Sequence, residues 1–265
     1  MLTLALALVI GVALGLLGGG GSILTVPVFT YIAGLDPKVA IASSLPVIAV
    51  TSAVGAFGHW RARNVQPRTA FVFGGLAMVG GFAGARLAGF LTGAVQMLLF
   101  AVIMLGASVS MFRATPVNGE PPPTTAALSL GTLLPLGLGV GVLTGLVGVG
   151  GGFLIVPALA QLGGLPMHVA VGTSLLIIAM NSAAGTLGYL GQVAFPLDLL
   201  LPFTALAVGG ILVGSNLARR LSQTVLRRGF AVLLLTVASF ILYQNRGVIA
   251  AAVASAAPLH AIGEA

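Results

Sequence analysis

Long, apolar stretches without charge run through most of this chain and limit what it can fold into. Hydrophobic residues make up 58% of the sequence and charged residues only 6%, that is, eleven basic and four acidic residues in 265. A soluble domain carries roughly 25% charged residues, whereas a helix crosses a bilayer with about 20 consecutive apolar residues. The alternating ten-residue strands of a membrane β-barrel are missing from the sequence. The sequence therefore predicts an all-α polytopic membrane protein.

The basic residues mark topology rather than a nucleic-acid partner. The net charge is +7, but most of the Arg residues lie in short loops, which is typical of the cytoplasmic side of a membrane protein. The chain contains no Cys, which excludes disulfides, thiolate metal sites and a Cys nucleophile. Residues 1–17 lack the basic start of a signal peptide, so we interpret them as the first membrane segment.

The second half of the chain repeats the first at an offset of 130 residues without a gap. Gly15–Ser22 aligns with Gly145–Gly152, and Pro27 aligns with Pro157. Glycine and proline coincide in register, which indicates a tandem duplication. The predicted units are a first repeat, a Pro-rich linker, a second repeat and a tail, at residues 1–114, 115–125, 126–245 and 246–265.

Each half is divided into five hydrophobic segments, of which the second is too short to span a membrane. About 12 residues of helix measure roughly 18 Å, against about 30 Å of hydrocarbon. The predicted segments of the first half are 2–17, 22–33, 38–59, 68–91 and 94–112. Those of the second half are 126–147, 152–163, 167–190, 196–218 and 229–245.

The basic loops change position between the halves. In the first half, Arg61, Arg63 and Arg68 lie between the third and fourth segments, while in the second half the Arg residues lie between the fourth and fifth. If both loops are cytoplasmic, the two halves have opposite orientations. Each half then has three crossings, and its first two segments form a hairpin or re-entrant pair that returns to the side it came from. Both termini are predicted outside and the linker inside, with Arg246 as an exception. The second group comprises Arg219, Arg220, Arg227 and Arg228.

The two Gly-rich turns are predicted to meet near the middle of the membrane. Inverted repeats with broken helices are typical of transporters, and irregular backbone at that depth needs protein or a wet cavity around it. Helix N-termini carry unpaired N–H groups that attract anions, and Gly lets a ligand approach the main chain. Close helix packing is the alternative role for these glycines. The predicted main-chain site comprises Gly19, Gly20, Gly21, Ser22, Gly150, Gly151 and Gly152.

Polar side chains on the third segment of each half are the predicted side-chain ligands of an anion. The alternative is hydrogen bonding between helices, at about 0.6 kcal/mol each. Arg86 and its repeat equivalent Asn216 are placed at the pore mouth, although Arg86 could instead extend to the membrane interface. The predicted ligands are Ser43, Ser44, Thr51, Thr173, Ser174 and Asn181.

The acidic residues argue against proton and cation chemistry. All four lie in loops, segment ends or the tail, so the chain lacks the buried carboxylates of a proton relay or an oxygen-rich metal site. No nucleotide-binding motif is present, and we predict no metal, no cofactor and no enzymatic activity. A divalent-metal permease stays open as an alternative, as does an intramembrane Ser hydrolase using Ser22 with His59 or His168. The acids are Asp36, Glu120, Asp198 and Glu264.

The paired motifs GLLGGGGSILTVPVF, from residue 15, and GLVGVGGGFLIVPAL, from residue 145, resemble the sulfite exporter TauE/SafE family. The resemblance extends over roughly residues 5–245. It implies a permease of a prokaryotic inner membrane that exports a small anion such as sulfite, a sulfonate or sulfoacetate. The expected partners are that anion and the bilayer, without nucleic acid, and a homodimer is an open alternative for the assembly. The family residues fall on Gly18 to Ser22, Pro27, Ser43, Ser44, Gly148 to Gly152, Pro157, Thr173 and Ser174.

Overall fold

A computed structural model describes residues 2–19, 21–113, 130–147, 151–162, 165–218 and 220–247. All regular structure within these ranges is helical, in agreement with the predicted class. The α-helices of the first half are α1 (Leu2–Leu17), α2 (Ser22–Pro27), α3 (Pro37–Arg61), α4 (Pro67–Leu87) and α5 (Gly93–Arg113). Those of the second half are α6 (Leu130–Val147), α7 (Gly152–Pro157), α8 (Met167–Tyr189), α9 (Leu197–Ala218) and α10 (Gln223–Gln244).

Six of these helices are long and apolar enough to cross a membrane, namely α3, α4, α5, α8, α9 and α10. This confirms the prediction of a polytopic helical membrane protein. The predicted bounds agree closely with the observed ones, except that α10 begins six residues earlier than expected. Ser222 caps it there by accepting a hydrogen bond from the Val225 N–H at 3.4 Å, so Arg228 lies inside the helix rather than in the preceding loop.

The short helices α2 and α7 each end at a proline and continue as a five-residue π-helical turn, Val28–Ile32 and Ala158–Leu162. Pro27 and Pro157 have no N–H to donate to the carbonyl four residues earlier, and a single wider turn takes up the change. Helix and turn together contain six plus five residues, or roughly 16 Å at 1.5 Å per residue. Neither short segment spans a bilayer.

The helices of the two halves interlock. α1 packs mainly along α9, and its repeat equivalent α6 packs along α4, so the first helix of each half lies against the fourth helix of the other. α3 packs against α8, and α5 against α10. The halves therefore share one helical core and are not separate bodies.

Glycines allow the closest of these contacts. A Cβ atom on Gly15 would lie 2.5 Å from the Ile211 carbonyl oxygen, and one on Gly11 would meet the Ala207 carbonyl. The α4–α6 interface is built the same way, with Gly84 against Val142. Pairs of small residues four positions apart let helix backbones touch in membranes, and here they do so at two equivalent crossings.

Contacts along the interfaces give the relative directions of the helices. On α3 and α8 the order is reversed, because Gly172 lies against His59 whereas Gly185 lies against Leu45. These two helices, which correspond to each other in the repeat, are therefore antiparallel. On α1 and α9 the order is the same, since successive turns meet at Gly11 with Ala207 and at Gly15 with Ile211. α4 and α6 run parallel as well, with Gly80 near Leu138 and Gly84 near Val142.

Candidate functional site

The Gly-rich turns of the two halves touch through their main chains. A Cβ atom on Gly19 would lie 2.5 Å from the Cα of Gly152, and a Cβ atom on Gly152 would in turn meet the Cα of Gly19. The starts of α2 and α7 are thus brought together, as the sequence predicted for the two breaks. Gly20 and Gly150, which belong to the predicted site, lie outside the described residues.

Each turn is also folded tightly against the helix before it. Gly21 lies against the backbone of Leu14, and Gly151 lies against Thr144, which is the repeat equivalent of Leu14. Gly18 has φ +66° and Gly151 has φ +82°, a region that side chains with a Cβ rarely occupy. Gly18 and Gly151 need glycine because of their backbone conformation. Gly19, Gly21 and Gly152 need it because neighbouring atoms leave no room for a Cβ. These contacts also fit the alternative role of the glycines, which is close packing of the main chain.

Ser22 closes the first turn with its side chain. Its hydroxyl donates to the Gly19 carbonyl at 2.5 Å, its own N–H approaches the same oxygen at 3.3 Å, and the residue is fully buried. The hydroxyl proton is thus held by the main chain. The repeat equivalent Gly152 has no side chain, so the two turns differ chemically.

Ser174 and Thr173, at the start of α8, tie segments together. The Ser174 hydroxyl lies 2.7 Å from the Gly18 carbonyl and 2.8 Å from the Val171 carbonyl, so one proton links α8 to the Gly-rich turn of the other half. The Thr173 hydroxyl accepts from the Gln66 N–H at 3.0 Å, which holds the loop before α4 against α8. Both residues are fully buried.

On α3, the predicted hydroxyl ligands differ in how they are used. The Ser44 hydroxyl donates to the Ile41 carbonyl at 2.7 Å, and the Thr51 hydroxyl to the Val47 carbonyl at 2.7 Å. Ser43 is fully buried and its hydroxyl has no hydrogen-bond partner in the described part of the chain. Its equivalent Thr173 is bonded to the Gln66 N–H, and the position corresponding to Gln66 is Pro196, which has no N–H. The Ser43 oxygen therefore lacks the N–H donor that its equivalent has, and the Ser43 proton is also unused among the described residues.

Asn181 clamps three helices together near the middle of α8. Its Nδ2 donates to the Thr144 hydroxyl of α6 at 2.6 Å, and its Oδ1 lies so close to Gly81 of α4 that a Cβ there has no room. The residue is 2% exposed. Its equivalent Thr51 bonds only within its own helix in the contacts described above. Asn181 therefore has a structural role whether or not it also meets a solute.

Three further hydroxyls are fully buried without a partner among the described residues, and were not in the predicted site. They are Thr25 on α2, Ser52 on α3 and Ser182 on α8. Ser52 and Ser182 are repeat equivalents on two helices that pack against each other. Both positions recur as polar residues at the 130-residue offset, and Ser52 shares a helical face with Ser44 and Thr51. Recurrence alone does not distinguish solute binding from hydrogen bonding between helices.

Arg86 and Asn216, the predicted mouth residues, are both exposed. The Arg86 guanidinium lies over the Phe82 ring, with its Cζ 5.4 Å from the ring centroid. Neither side chain is part of the contact between the Gly-rich turns.

The geometry gives no support to the two alternative chemistries. The Ser22 proton is directed to the Gly19 carbonyl, His59 is buried against Gly172, and His168 is exposed. In the described ranges, no three His, Asp or Glu residues come together as a metal site would require.

The fold and the paired turns define a multi-pass membrane protein with an internal repeat. The sequence model of the "Sulfite exporter TauE/SafE" family matches residues 3–241. The chain belongs to this family, and it is a membrane transporter of the TauE/SafE type.

Relatives from bacteria and an archaeon agree with this assignment. A "probable membrane transporter protein" of Xylella fastidiosa (strain Temecula1) is 32% identical over 241 residues, covering 89% of this chain and 92% of the relative. The probable membrane transporter protein YdhB of Bacillus subtilis is 28% identical over 229 residues, covering 86% and 94%. One from Methanocaldococcus jannaschii is 25% identical, covering 88% and 92%. No solved structure shows significant similarity to the chain.

Proposed function

We propose that this protein carries a small anion across the membrane through a site where the two Gly-rich turns meet, between two inverted repeats. The main support is the backbone contact of Gly19 with Gly152, because it brings the starts of two short helices from different halves to one point. For a solute to pass between the halves, these two turns must separate. The observed contact is then the closed state of the solute path.

The inverted relation of the halves is supported by helix direction. α3 and α8 are repeat equivalents and are antiparallel. α9 crosses the membrane in the direction opposite to α8, and α1 runs parallel to α9. In the same way, α4 crosses in the direction opposite to α3, and α6 runs parallel to α4. Each helix of the first half that we can orient therefore runs opposite to its equivalent. The swapped Arg loops follow the same pattern, with Arg61, Arg63 and Arg68 in the cytoplasm, the linker on the same side and both termini outside.

The charge at this point favours an anion. Each helix start carries roughly half a positive charge, and Lys and Arg are absent from the middle of the described spanning helices. The main chain at Gly19, Gly21, Gly151 and Gly152 is thus the principal source of positive potential. Because this charge is small, we expect modest affinity and a preference for monoanions.

Among the side chains, Ser43 is the donor we assign first because its proton is not engaged. Ser22 and Ser174 shape the turns, and they would contact a solute only by exchanging their present bonds. The same holds for the remaining predicted ligands, which are Ser44, Thr51, Thr173 and Asn181. Arg86 and Asn216 would act at the entrances by attracting anions.

The family name points to the export of sulfite. We extend the proposal to related sulfonates such as sulfoacetate and place the protein in the inner membrane of a prokaryotic cell, as the sequence resemblance implies. Export of a monovalent anion from a negative interior gains about 2.3 kcal/mol per 100 mV. This gradient would suffice without an ATPase or a proton relay.

A flux panel in proteoliposomes tests the proposal. We expect saturable, voltage-driven flux of hydrogen sulfite, weaker flux of the dianions sulfate and sulfoacetate, and no flux of Ni²⁺. Empty liposomes give the background flux of sulfite, because its neutral, fully protonated form crosses membranes without a protein. Saturable Ni²⁺ flux without any anion flux would contradict the proposal and favour the metal permease.

A further inference from the structure

A shallow depression at one end of the helical bundle lies apart from the Gly-rich turns. It has a volume of about 520 Å³ and is lined by Lys38, Arg86, Gly89, Phe90 and Gln192. We call it the Lys38–Arg86 depression.

Close main-chain contacts fix the walls of this depression. A Cβ on Gly93 would lie 2.8 Å from the Cβ of Pro37, so the turn between α4 and α5 is pressed against the start of α3. The Lys38 Nζ donates to the Gly89 carbonyl at 3.2 Å. On the opposite wall, the Gln192 Nε2 donates to the Ala85 and Gly188 carbonyls at 3.1 and 2.8 Å. The walls of the depression and the Lys38 side chain are therefore held in place.

The two cations of the depression lack an acidic partner in the described part of the chain. The nearest carboxylate in sequence, Asp36, accepts from the Lys38 main-chain N–H at 2.9 Å and so caps α3. The Arg86 guanidinium contacts only the Phe82 ring among its charged or aromatic neighbours. Both side chains keep donors that suit the oxygens of an anion.

The flank of the depression is apolar and exposed. Phe90 is 88% exposed, Leu87 50% and Phe82 42%, and all three lie at the end of the spanning segment Pro67–Phe90. Such side chains face lipid in a bilayer. A soluble anion gains nothing from this flank, whereas a phospholipid has acyl chains to place on it.

We propose that the Lys38–Arg86 depression binds an anionic phospholipid. Lys38 and Arg86 hold the phosphate, and the acyl chains lie against Phe82, Leu87 and Phe90. Arg86 then binds the lipid phosphate instead of acting at the entrance of the solute path, and the site does not depend on which solute the protein carries. Basic side chains at a membrane surface attract anionic lipids by about fivefold in affinity for each cation.

Fluorescence quenching by brominated lipids tests this proposal, because the chain has a single Trp. Trp60 is 48% exposed and lies at the far end of α3 from Lys38. A Trp60→Phe/Phe90→Trp variant moves the reporter to the depression, at an exposed position that tolerates the change. The variant is placed in vesicles of phosphatidylcholine and phosphatidylglycerol, with one or the other brominated. Trp60 in the otherwise wild-type protein is the control reporter.

From the quenching of the Phe90→Trp reporter, we expect the affinity for phosphatidylglycerol to exceed that for phosphatidylcholine by at least about fivefold. Adding Lys38→Gln and Arg86→Gln should bring the preference to about one, while the preference seen by Trp60 stays the same. Equal quenching by the two lipids, or a preference that survives the double substitution, would overturn the proposal. Inorganic phosphate could instead change the fluorescence of the Phe90→Trp reporter in a saturable way in pure phosphatidylcholine vesicles. If the reporter also shows no preference between the two lipids, this result would overturn the proposal and assign the site to a soluble anion.

Discussion

At the scale of single residues, most of the predicted hydroxyl ligands are already hydrogen-bonded to main-chain groups. Ser22, Ser44 and Thr51 donate to carbonyls within three or four residues. The sequence correctly selected buried polar residues, since all three are at most 2% exposed. It could not tell which hydroxyl stays without a hydrogen bond, because that depends on groups from other segments, such as the Gln66 N–H that reaches Thr173.

Ser174→Ala and Ser43→Ala form a pair that separates packing from binding. Ser174→Ala removes the bond to the Gly18 carbonyl and should cost about 1 kcal/mol of stability, seen as a lower melting temperature in detergent. Ser43→Ala breaks no described bond and should leave the melting temperature unchanged. If Ser43 meets the solute, its loss weakens anion affinity several-fold. A large loss of stability in Ser43→Ala would contradict this distinction.

A buried network of Tyr189 and Gln96 was not predicted. The Gln96 Nε2 donates to the Leu146 carbonyl at 2.7 Å and to the Tyr189 hydroxyl at 3.1 Å, and the Tyr189 hydroxyl lies 3.3 Å from the Gly145 carbonyl. Both side chains are fully buried. The network joins α5, α6 and α8, which are far apart in sequence, so no local pattern reveals it.

Tyr189→Phe should lower the free energy of unfolding by about 1 kcal/mol, because it leaves polar groups with fewer partners. Tyr243→Phe is the control, since Tyr243 is 64% exposed and should have no effect. The measurement is thermal unfolding in detergent. Equal effects of the two substitutions would show that the network adds nothing to stability.

At the scale of helices, hydrophobic segment length and glycine breaks predicted nearly every boundary. α1 and the paired short segments fall where the sequence placed them. The start of α10 was missed because Arg227 and Arg228 were assigned to a loop, although Ser222 is a favoured capping residue. The π-helical turns after Pro27 and Pro157 were also not predicted, since proline indicates a break but not how the chain closes it.

Neighbouring glycines on α9 test the tight helix crossing. A Cβ on Gly210 would meet the Leu8 carbonyl of α1, whereas one on Gly209 has no neighbour within 4 Å. Gly210→Ala should destabilise the protein by about 1–3 kcal/mol through overpacking. Gly209→Ala should be neutral or stabilising by up to about 1 kcal/mol, because alanine favours the helix. Similar melting temperatures for both variants would argue against direct backbone contact between α1 and α9.

At the scale of the whole molecule, the 130-residue offset predicted the repeat, and equivalent elements indeed recur at that offset. The sequence did not predict that the first helix of each half packs on the fourth helix of the other. Hydrophobic patterns show that a face is buried but not against which helix. The glycine pairs on α1 and α9 carry this information only once the partners are known.

Cysteine labelling tests the opposite orientation of the halves, since the natural chain has no Cys. Single cysteines at Asn64 and Gln223 should react with a membrane-impermeant reagent only from the cytoplasmic side. A cysteine at Gln192 should react only from outside. The experiment uses sealed vesicles of both orientations, with lysed vesicles as the control for reactivity. Labelling of Asn64 and Gln192 from the same face would contradict the inverted arrangement.

The most direct test of the central claim is the initial anion flux of glycine variants in proteoliposomes. Gly19→Ala and Gly152→Ala each place a methyl group in the contact between the two turns. Gly58→Ala adds one on α3 where no atom lies within 4 Å. Reconstituted amount and circular dichroism show that each protein is folded. The added methyl blocks the tight turn and the approach of the solute to the main chain, and loss of a hydrogen bond to a charged group costs about tenfold or more in affinity. We therefore expect anion flux to fall by at least about tenfold in folded Gly19→Ala or Gly152→Ala and to stay at the wild-type rate in Gly58→Ala. Wild-type flux in both turn variants would show that the solute does not pass where the two halves meet.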